Sequence, residues 1–353
     1  MKHVDILIVG GGVAGSVFAM QCPKDKNILL LDKKRLDGTL PSFQKPCGGL
    51  LSPDAQKSLA SLQLSIPLSV MASPQIFSVK TIDIPKKLTR HYQRFYLNVH
   101  RHRFDCWLAS MIPNHVQVED QTVVTSVDIQ SNPIIVHYRK DNMDHAVSCD
   151  ILIGADGAGS LVRKAISTRK IRQYLAIQQT FLPQTILPEL ACFFDPMITD
   201  SYGWASVKDD VFTYGIALPL DESHQRFENA KERLHAFGYA LSKPEHTEAC
   251  LVNSPKSIRE LVHGKKNVLL IGEAAGWISP SSLEGISYAI DSALLASKAI
   301  RYQNPYKTYM RLSLSLMFKI FTKQLKSILL YTPWIRHLIL KSNIQTIHIH
   351  QKP

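Results

Sequence analysis

The sequence predicts an α/β fold with three parts: an interleaved Rossmann-like nucleotide-binding domain, an inserted mixed β-sheet domain and C-terminal helices. Three apolar strands each run into a glycine-bearing turn, at residues 10–15, 154–157 and 272–276. The segments between these turns alternate apolar and polar residues as sheet strands do. The 353 residues, 45% of them hydrophobic, suffice for one large domain or two intimately joined ones.

The first of these turns belongs to a strand–turn–helix–strand unit that binds dinucleotides. An apolar strand runs into Gly-Gly-Gly-Val-Ala-Gly at 10–15, and a helical stretch and a second apolar run ending at Asp32 follow. Gly10 permits the tight turn, Gly12 lets backbone N–H groups approach a pyrophosphate, and Gly15 lets the helix lie close on the strand. Asp32 is placed to accept hydrogen bonds from a ribose. This unit alone does not separate NAD from FAD.

The two later turns favour a flavin nucleotide. A strand ends in Gly-Ala-Asp-Gly at 154–157, and a helix is predicted to begin after Ser160, a favourable N-cap. Another buried strand leads into Gly-Glu-Ala-Ala-Gly at 272–276, and a helix is predicted to start near Glu284. We expect that helix to direct free N–H groups at an anionic or electron-rich group. The small residues of both turns let the chain pass under a cofactor.

The domains are predicted to be discontinuous. The nucleotide-binding domain comprises residues 1–75, 95–170 and 265–300; the inserted substrate domain comprises 76–94 and 171–264; a basic helical region comprises 301–353. In the inserted domain, β-branched and aromatic residues predict strands, interrupted by one helix at about 224–242. The adjacent Asp209 and Asp210 predict a hairpin turn rather than a catalytic dyad.

The C-terminal region carries much of the net charge of +12, since it has nine Lys or Arg residues and no Asp or Glu from Arg301 onward. Its apolar residues recur at helical spacing, and Pro333 divides the pattern into two helices. A basic amphipathic region of this kind can lie on an anionic membrane. The alternative is a helical pair packed on the core with its basic face in solvent. Nucleic-acid binding is disfavoured, because aromatic residues are few and no motif is present.

Other features bear on location and metal binding. No stretch has the uninterrupted apolar length of a membrane span, and the N-terminus lacks a secretory pattern. The six cysteines are scattered without a Cys-x-x-Cys pair, and the histidines lack metal-ligand spacing, so we predict no metal site and no disulfide framework. These features predict a cytoplasmic protein, peripheral to the inner face of the membrane if the C-terminal region binds lipid.

The three glycine-bearing segments resemble those of the FAD-dependent fold shared by aromatic hydroxylases, flavin halogenases and geranylgeranyl reductases. Three further segments are similar to the geranylgeranyl reductase family: Lys-Pro-Cys-Gly-Gly-Leu-Leu at 45–51, Arg-His-Arg-Phe-Asp-Cys-Trp-Leu at 101–108 and Tyr-Gly-Trp at 202–204. Within that group, residues 74–81, residues 176–179 and the Gly-Glu-Ala-Ala-Gly turn resemble the CbrA family of FAD-dependent oxidoreductases. The resemblance covers nearly the whole chain.

The resemblance implies FAD and a set of residues that contact it. The first turn would face the pyrophosphate and Asp32 the adenosine ribose. Arg101 would reach the nucleotide from the start of a helix, and Asp156 and Glu273 would flank the pyrophosphate and the ribityl chain. Lys45 would bind an FAD phosphate or an anionic head group, or remain a solvated loop lysine. The full set is Gly10, Gly12, Val13, Ala14, Gly15, Asp32, Lys33, Lys45, Cys47, Gly48, Gly49, Arg101, Asp156, Gly157, Gly272, Glu273, Gly276, Gly285, Ile286 and Ser287.

The sequence departs from the family pattern at two places. Glu273 stands where the family usually has Asp, so its contact with the ribityl chain must accommodate an extra methylene or be indirect. Related archaeal reductases carry Tyr and Trp before the Cys-Gly-Gly segment, where this chain has Phe43 and Pro46. The second departure bears on isoprenoid reduction, whereas Cys47 keeps its place.

The leading functional hypothesis is reduction of a carbon–carbon double bond in a hydrophobic substrate, an isoprenoid or another lipid. Reduced FAD would deliver hydride, and a nearby acid would protonate the adjacent carbon. Cys47, Tyr202 and Trp204 are predicted to face the substrate; alternatively Cys47 is a small buried residue and Trp204 belongs to the core.

The electron donor and two competing functions stay open. A second dinucleotide fingerprint is missing, so NAD(P)H, a protein or a quinol would bind transiently as the donor. One competitor is a flavin monooxygenase that hydroxylates a small molecule. The other is a membrane-associated flavoprotein without turnover. A halogenase is disfavoured because the Trp-x-Trp-x-Ile-Pro signature is missing.

Overall fold

The computed structural model describes residues 1–39, 45–182, 188–239, 241 and 243–349. The strands are β1 (Lys2–Val9), β2 (Ile28–Leu31), β3 (Leu50–Leu51), β4 (Ile76–Asp83), β5 (Leu88–Asn98), β6 (Val116–Glu119), β7 (Val123–Asp128), β8 (Ile134–Lys140), β9 (Met143–Gly154), β10 (Gln173–Phe181), β11 (Glu189–Phe194), β12 (Gly203–Lys208), β13 (Val211–Leu218), β14 (His246–Asn253), β15 (Gly264–Lys265), β16 (Val268–Leu270) and β17 (Thr346–Ile347). The helices are α1 (Val13–Met20), α2 (Pro53–Ser61), α3 (Arg101–Ser110), α4 (Leu161–Ile166), α5 (Ser223–His235), α6 (Ile286–Ala299), α7 (Pro305–Leu312), α8 (Leu314–Tyr331) and α9 (Pro333–Lys341).

The first sheet carries the glycine-bearing turns. Across the described ranges it has eight strands, ordered β15-β16-β9-β1-β2-β6, with β8 paired to β9 and β7 paired to β8. The strands from β16 to β6 in this order are parallel, and Val9 is in register with both Gly154 and Leu31. Leu270 is also in register with Gly154. These strands therefore end side by side, and the loops that follow them meet at one edge of the sheet.

Both faces of this sheet are covered, which explains why its strands are almost continuously apolar. On one face of β1, Ile6 and Ile8 pack in a core cluster with Phe18 of α1. On the other face, Leu7 packs in a second cluster with the fully buried Trp277. The buried sheet thus holds its strand ends, and the turns that follow them, in fixed positions.

The second sheet lies in the inserted segments. The part of the chain that the structure describes gives it nine strands, ordered β14-β10-β13-β12-β11-β4-β5-β17, with β3 paired to β5. Asp209 and Asp210 form the two-residue connection between β12 and β13, which confirms the predicted hairpin. Strand β5 runs across the predicted domain boundary at residues 94–95, and β17 adds a strand from the C-terminal region.

Two elements of this second region differ from the sequence predictions. Helix α5 ends at His235 rather than near 242, because residues 236–238 form a turn in which Gly238 has a φ of +85°. Strand β14 was not predicted. It is an edge strand whose first residues are polar and largely exposed, so it lacks the clear alternation of its neighbour β10.

As far as residue 349, the C-terminal region forms three helices rather than the predicted two. The predicted break at Pro333 is confirmed, since Pro333 is the first residue of α9. A further break separates α7 from α8 at Ser313, and Asn304 caps α7 by accepting from the Lys307 N–H at 3.0 Å. Among the described residues, the structure contains no helix with the length and apolar character needed to span a bilayer.

Candidate cofactor and substrate site

The three glycine-bearing turns lie together at the carboxyl edge of the first sheet. The Ala155 N–H donates to the Val9 carbonyl at 2.7 Å, and the Ile271 N–H donates to the Gly154 carbonyl at 2.9 Å. Each turn therefore begins bonded to the end of a neighbouring strand. The predicted contacts on these turns are Gly10, Gly12, Val13, Ala14, Gly15, Asp156, Gly157, Gly272, Glu273 and Gly276.

Packing at the first turn requires two of its glycines and leaves a third open. Gly10 has a φ of +104°, and a Cβ on it would lie 2.4 Å from the Ala155 oxygen. A Cβ on Gly15 would lie 1.8 Å from the Gly10 oxygen, so α1 can rest on the turn only with glycine there. A Cβ on Gly12 would instead point into open space. Gly12 precedes the first turn of α1, whose N–H groups lack intrahelical acceptors, so this open side fits a pyrophosphate.

Asp32 is buried and holds two loops together. Its carboxylate accepts from the Gly11 N–H at 2.5 Å and from the Lys34 N–H at 2.6 Å. The predicted contact Lys33, between Asp32 and Lys34 in sequence, has an exposed side chain. An open pocket of about 700 Å³, lined in part by Asp37 and Asp120, adjoins this loop. The pocket lies near the strand end to which the resemblance assigns the adenosine.

The carboxylate of Asp156 is used inside its own turn. It accepts from the Ser160 hydroxyl at 2.5 Å, from the Leu161 N–H at 2.7 Å and from the Val162 N–H at 3.2 Å. Ser160 in turn accepts from the Arg163 N–H at 2.9 Å, which confirms the predicted N-cap. Burial raises the pKa of Asp156, although the hydrogen bond from Ser160 opposes this. Asp156 therefore shapes the second turn.

Glu273 connects the third turn to the second sheet. Its Oε2 accepts from Lys45 Nζ at 2.5 Å, and its Oε1 accepts from the Asn253 N–H at 2.9 Å. Burial opposes the charge on Lys45, but Glu273 raises the pKa of Lys45 above its usual value. These contacts use the extra methylene of Glu273 and favour an indirect role toward the ribityl chain. Phe43 lies outside the described residues, and Pro46 is buried.

Arg101 links the loop after β2 to the Cys-Gly-Gly segment. Its Nε donates to Asp105 Oδ1 at 2.8 Å, and Lys34 Nζ donates to Asp105 Oδ2 at 3.3 Å. The Arg101 side chain also lies close enough to the side chain of Cys47 for the two to interact electrostatically. Burial alone would lower the pKa of Arg101, but Asp105 and Cys47 raise it. The predicted arginine thus lies beside the predicted cysteine.

Lys208, the last residue of β12, was not among the predicted site residues. Its Nζ donates to Asn98 Oδ1 and, at 2.8 Å, to the Val99 carbonyl. A Cβ on Gly49 would lie 2.7 Å from this nitrogen, and the Gly49 N–H donates to Cys47 Sγ at 3.4 Å, so Lys208 lies close to Cys47. Burial lowers the pKa of Lys208 to about 8. A lysine that closes an otherwise buried strand was the signal in the sequence.

Tyr202 and Trp204 form an aromatic wall next to the Cys-Gly-Gly segment. Trp204 Cδ1 would lie 4.0 Å from a Cβ on Gly48, and the rings of Tyr202 and Trp204 are 5.9 Å apart. The Tyr202 hydroxyl donates to the Ser282 carbonyl at 2.7 Å. Burial raises the pKa of Tyr202 well above its usual value. Trp204 is half-buried. Because Trp204 contacts both Tyr202 and the Cys-Gly-Gly segment, the three predicted catalytic residues lie on one side of the site.

The start of α6 differs from the prediction. Gly285 is the N-cap, and Ile286 is buried. The Ser287 N–H and hydroxyl donate to Glu284 Oε1 and Oε2, both at 2.8 Å. The expectation that this helix presents free N–H groups is therefore wrong at Ser287, because the carboxylate just before the helix already satisfies that residue.

The fold is shared with flavin-dependent enzymes. It resembles a geranylgeranyl bacteriochlorophyll reductase-like protein from Thermoplasma acidophilum, with a TM-score of 0.72 and 20% identity over 94% of this chain and 87% of that one. A PqsL mutant from P. aeruginosa gives a TM-score of 0.71 and 13% identity over 96% of this chain and all of that one. A flavin-dependent brominase variant gives 0.69 and 17%, over 97% and 99%. The chain therefore has the fold of the FAD-dependent oxidoreductases.

Curated relatives identify the family. Protein CbrA from Escherichia coli O9:H4 (strain HS) is 42% identical over 351 residues, 98% of this chain and 95% of the relative. Protein CbrA from Shigella sonnei (strain Ss046) is 42% identical over 350 residues, 98% of this chain and 99% of the relative. No protein-family model matches. The chain belongs to the CbrA family, which confirms the resemblance found in the sequence.

Proposed function

We propose that the chain binds FAD at the three converging turns and reduces a carbon–carbon double bond in a hydrophobic substrate, an isoprenoid or another lipid. One observation carries the proposal. Cys47 lies close to two half-buried cations, Arg101 and Lys208, beside the aromatic wall of Tyr202 and Trp204. This arrangement supplies a proton donor next to a surface suited to an apolar substrate.

The first turn supports the FAD part of the proposal. The N–H groups of Val13 and Ala14, in the first turn of α1, would bind the pyrophosphate over the open side of Gly12. Asp32 would hold this turn in place and Lys45 would add positive charge nearby. FAD, when bound, supplies hydride from N5 of its reduced ring system. A nicotinamide cofactor, a protein or a quinol would bind transiently to reduce it.

The residues around Cys47 would supply the proton. Cys47 Sγ would give its proton to the substrate carbon next to the one that receives hydride. The positive charges of Arg101 and Lys208 would stabilise the thiolate that remains. Lys208 Nζ, with a pKa of about 8, is mostly protonated at neutral pH and would return a proton to the sulfur. Tyr202 keeps its hydroxyl proton because burial raises its pKa, so we assign it to the aromatic wall that contacts the substrate.

An anaerobic single-turnover experiment tests the proposal. The purified chain is loaded with FAD, reduced with dithionite and mixed without oxygen with unsaturated isoprenoid lipids. We expect the flavin absorbance to return and the saturated product to form. Cys47→Ser should slow this step at least about tenfold. Cys22→Ser, just beyond the end of α1 that lies away from the first turn, is the matched control and should leave the rate unchanged.

The other outcomes identify the competing functions. A hydroxylated product that forms only after oxygen is admitted would replace the reductase with a monooxygenase. A flavin that stays reduced with every lipid in the absence of oxygen, and that is reoxidised by oxygen without any change in the lipid, would favour the flavoprotein without turnover. A chain that fails to bind FAD would overturn the flavin assignment itself.

A further inference from the structure

Helix α8 carries an apolar stripe on its solvent side. The stripe consists of Leu314, Phe318, Phe321, Leu325 and Ile328. Their spacing of four and three residues puts them on one face of the helix, over about 21 Å at 1.5 Å per residue. Phe318 is 67% exposed and Leu325 is 50% exposed, whereas Leu316 and Ile320 on the opposite face are buried in the core. The helix is thus apolar on both its buried and its exposed face.

Helix α9 extends the apolar surface. Trp334 is 66% exposed, and Leu338 and Ile339 are also exposed. We call the stripe on α8 together with these three residues the α8–α9 surface. Exposed apolar residues gathered on two consecutive helices in this way indicate an interaction site.

The cations on the inner side of α8 are neutralised by carboxylates. Lys319 Nζ lies 3.2 Å from Asp54 and 3.8 Å from Asp291. Lys323 Nζ lies 3.8 Å from the same Asp54. These lysines therefore contribute little net charge to the surroundings of the helix.

The outer cations are not neutralised in this way. Arg311, Lys326 and Lys341 are exposed, and in the described part of the chain none has a carboxylate within 4.0 Å. Arg94 of β5 is exposed and lies close enough to Lys326 to repel its ammonium group. Since residues 301–353 contain no Asp or Glu, the α8–α9 surface is bordered by uncompensated positive charge.

We propose that the α8–α9 surface docks on an anionic lipid membrane. Exposed apolar side chains bordered by Lys and Arg match a bilayer interface with anionic head groups. Trp334 supplies an aromatic ring of the kind enriched at that depth. A second copy of the chain fits less well, because a symmetric contact would bring Lys326 and Arg94 toward their own counterparts.

The docking helix also reaches the substrate side of the site. Tyr331, the last residue of α8, donates its hydroxyl to the Ser281 carbonyl at 2.9 Å. Its ring lies 6.0 Å from that of Phe194, which stacks on Tyr202 at 6.1 Å. A membrane on the α8–α9 surface would therefore lie near the wall that we assign to a lipid substrate. This link rests on the proposed function, whereas membrane binding does not.

Vesicle co-sedimentation of the full chain, without FAD or substrate, tests the docking. We expect binding to vesicles that contain phosphatidylglycerol, little binding to pure phosphatidylcholine, and weaker binding at high salt. The double variant Phe318→Ser with Leu325→Ser should bind at least about tenfold more weakly. The charge variant Lys326→Glu with Arg94→Glu should lose a similar amount.

Leu220→Ser is the matched control. Leu220 is also exposed, at 56%, but it lies between β13 and α5, outside the α8–α9 surface, and is followed by Asp221. It should bind as the wild type does, and circular dichroism should show that every variant is folded. Equal binding by the wild type and the Phe318/Leu325 variant would overturn the proposal. The proposal would also be overturned if the wild type did not bind anionic vesicles but formed a dimer, and the Phe318/Leu325 variant were monomeric. Vesicle binding with no lipid reduction would overturn the proposed function and leave the docking intact.

Discussion

The nucleotide edge of the first sheet and the wall beside Cys47 are held in place by different parts of the chain. The nucleotide edge consists of backbone turns, bonded to neighbouring strand ends and packed so closely that a Cβ on Gly15 has no space. The wall of Tyr202 and Trp204 and the nearby cations Arg101 and Lys208 are side chains from distant segments that meet close to Cys47. Cofactor binding at the nucleotide edge should therefore be lost when the backbone geometry changes. Proton transfer near Cys47 should be lost when a charge or a proton is removed.

The largest expected effect compares one methyl group at two positions of the first turn. Gly15→Ala would place its Cβ 1.8 Å from the Gly10 oxygen, so the free energy of unfolding should fall by about 3 kcal/mol or more, and FAD binding should be lost. Gly12→Ala places its Cβ in open space, so stability should change by about 1 kcal/mol or less while FAD affinity falls. Urea unfolding and FAD titration measure both. Equal stability losses would contradict the close packing of α1 on the turn.

The same difference explains what the sequence could predict. The turns at Gly10 and Asp156 are local patterns, because the strand, the turn and the helix follow one another along the chain. The ion pair of Glu273 with Lys45 and the approach of Lys208 to Cys47 join residues that are far apart in sequence, and no local pattern reports such contacts.

The missed elements have related physical causes. Strand β14 obtains its hydrogen bonds from β10 and needs little apolar surface of its own at the sheet edge. The N–H groups at the start of α6 were expected to be free, but the side chain of Glu284 caps Ser287. The family and the fold were nevertheless predictable, since they depend on the local turns.

The second prediction concerns proton supply on the wall. Because burial lowers the pKa of Lys208 to about 8, the anaerobic reduction rate should fall as pH rises through about 8. Lys208→Met should lower the rate about tenfold or more and abolish this decline. Lys208→Arg should keep the charge and move the decline beyond the measurable range, because a guanidinium stays protonated. A wild-type rate that does not change between pH 7 and 9, within about twofold, would remove Lys208 from the proton path.

Stability provides an independent measurement of the same group. Above pH of about 8 folded Lys208 is neutral, while in the unfolded chain it stays protonated to about its usual value of 10.5. The unfolded state then binds more protons, so between these values the wild-type free energy of unfolding should rise relative to that of Lys208→Met. Urea unfolding across this range, on both proteins, measures the difference.

The third prediction tests the contact between the two sides. Glu273→Asp shortens the side chain by one methylene, so its carboxylate should withdraw from Lys45 Nζ and the free energy of unfolding should fall by about 2 kcal/mol. FAD affinity should not fall, because the released Lys45 remains near the anionic cofactor. Glu273→Gln, which keeps the length and the acceptor for the Asn253 N–H, is the control for shape. A parallel loss of FAD affinity and stability in Glu273→Asp would instead indicate direct contact with the cofactor.

The smallest expected effect separates a cap that belongs to the site from one that does not. Ser160 caps α4 by accepting from the Arg163 N–H, and Ser52 caps α2 by accepting from the Ala55 N–H at 3.2 Å. Replacing either serine by alanine should therefore lower the free energy of unfolding by about 1 kcal/mol.

Only Ser160→Ala should also weaken FAD binding, by a few-fold. Ser160 donates to Asp156 as well as capping α4, so its loss leaves the second turn with fewer of the hydrogen bonds that shape it. Urea unfolding and FAD titration of both variants separate capping from cofactor binding. Both variants should lose stability, whereas only Ser160→Ala should lose FAD affinity. Unequal stability losses with equal FAD affinities would mean that the Asp156 turn stabilises the fold but does not affect cofactor binding. Equal losses with weaker FAD binding at Ser160→Ala alone would tie that turn to the cofactor through its backbone, as at Gly12.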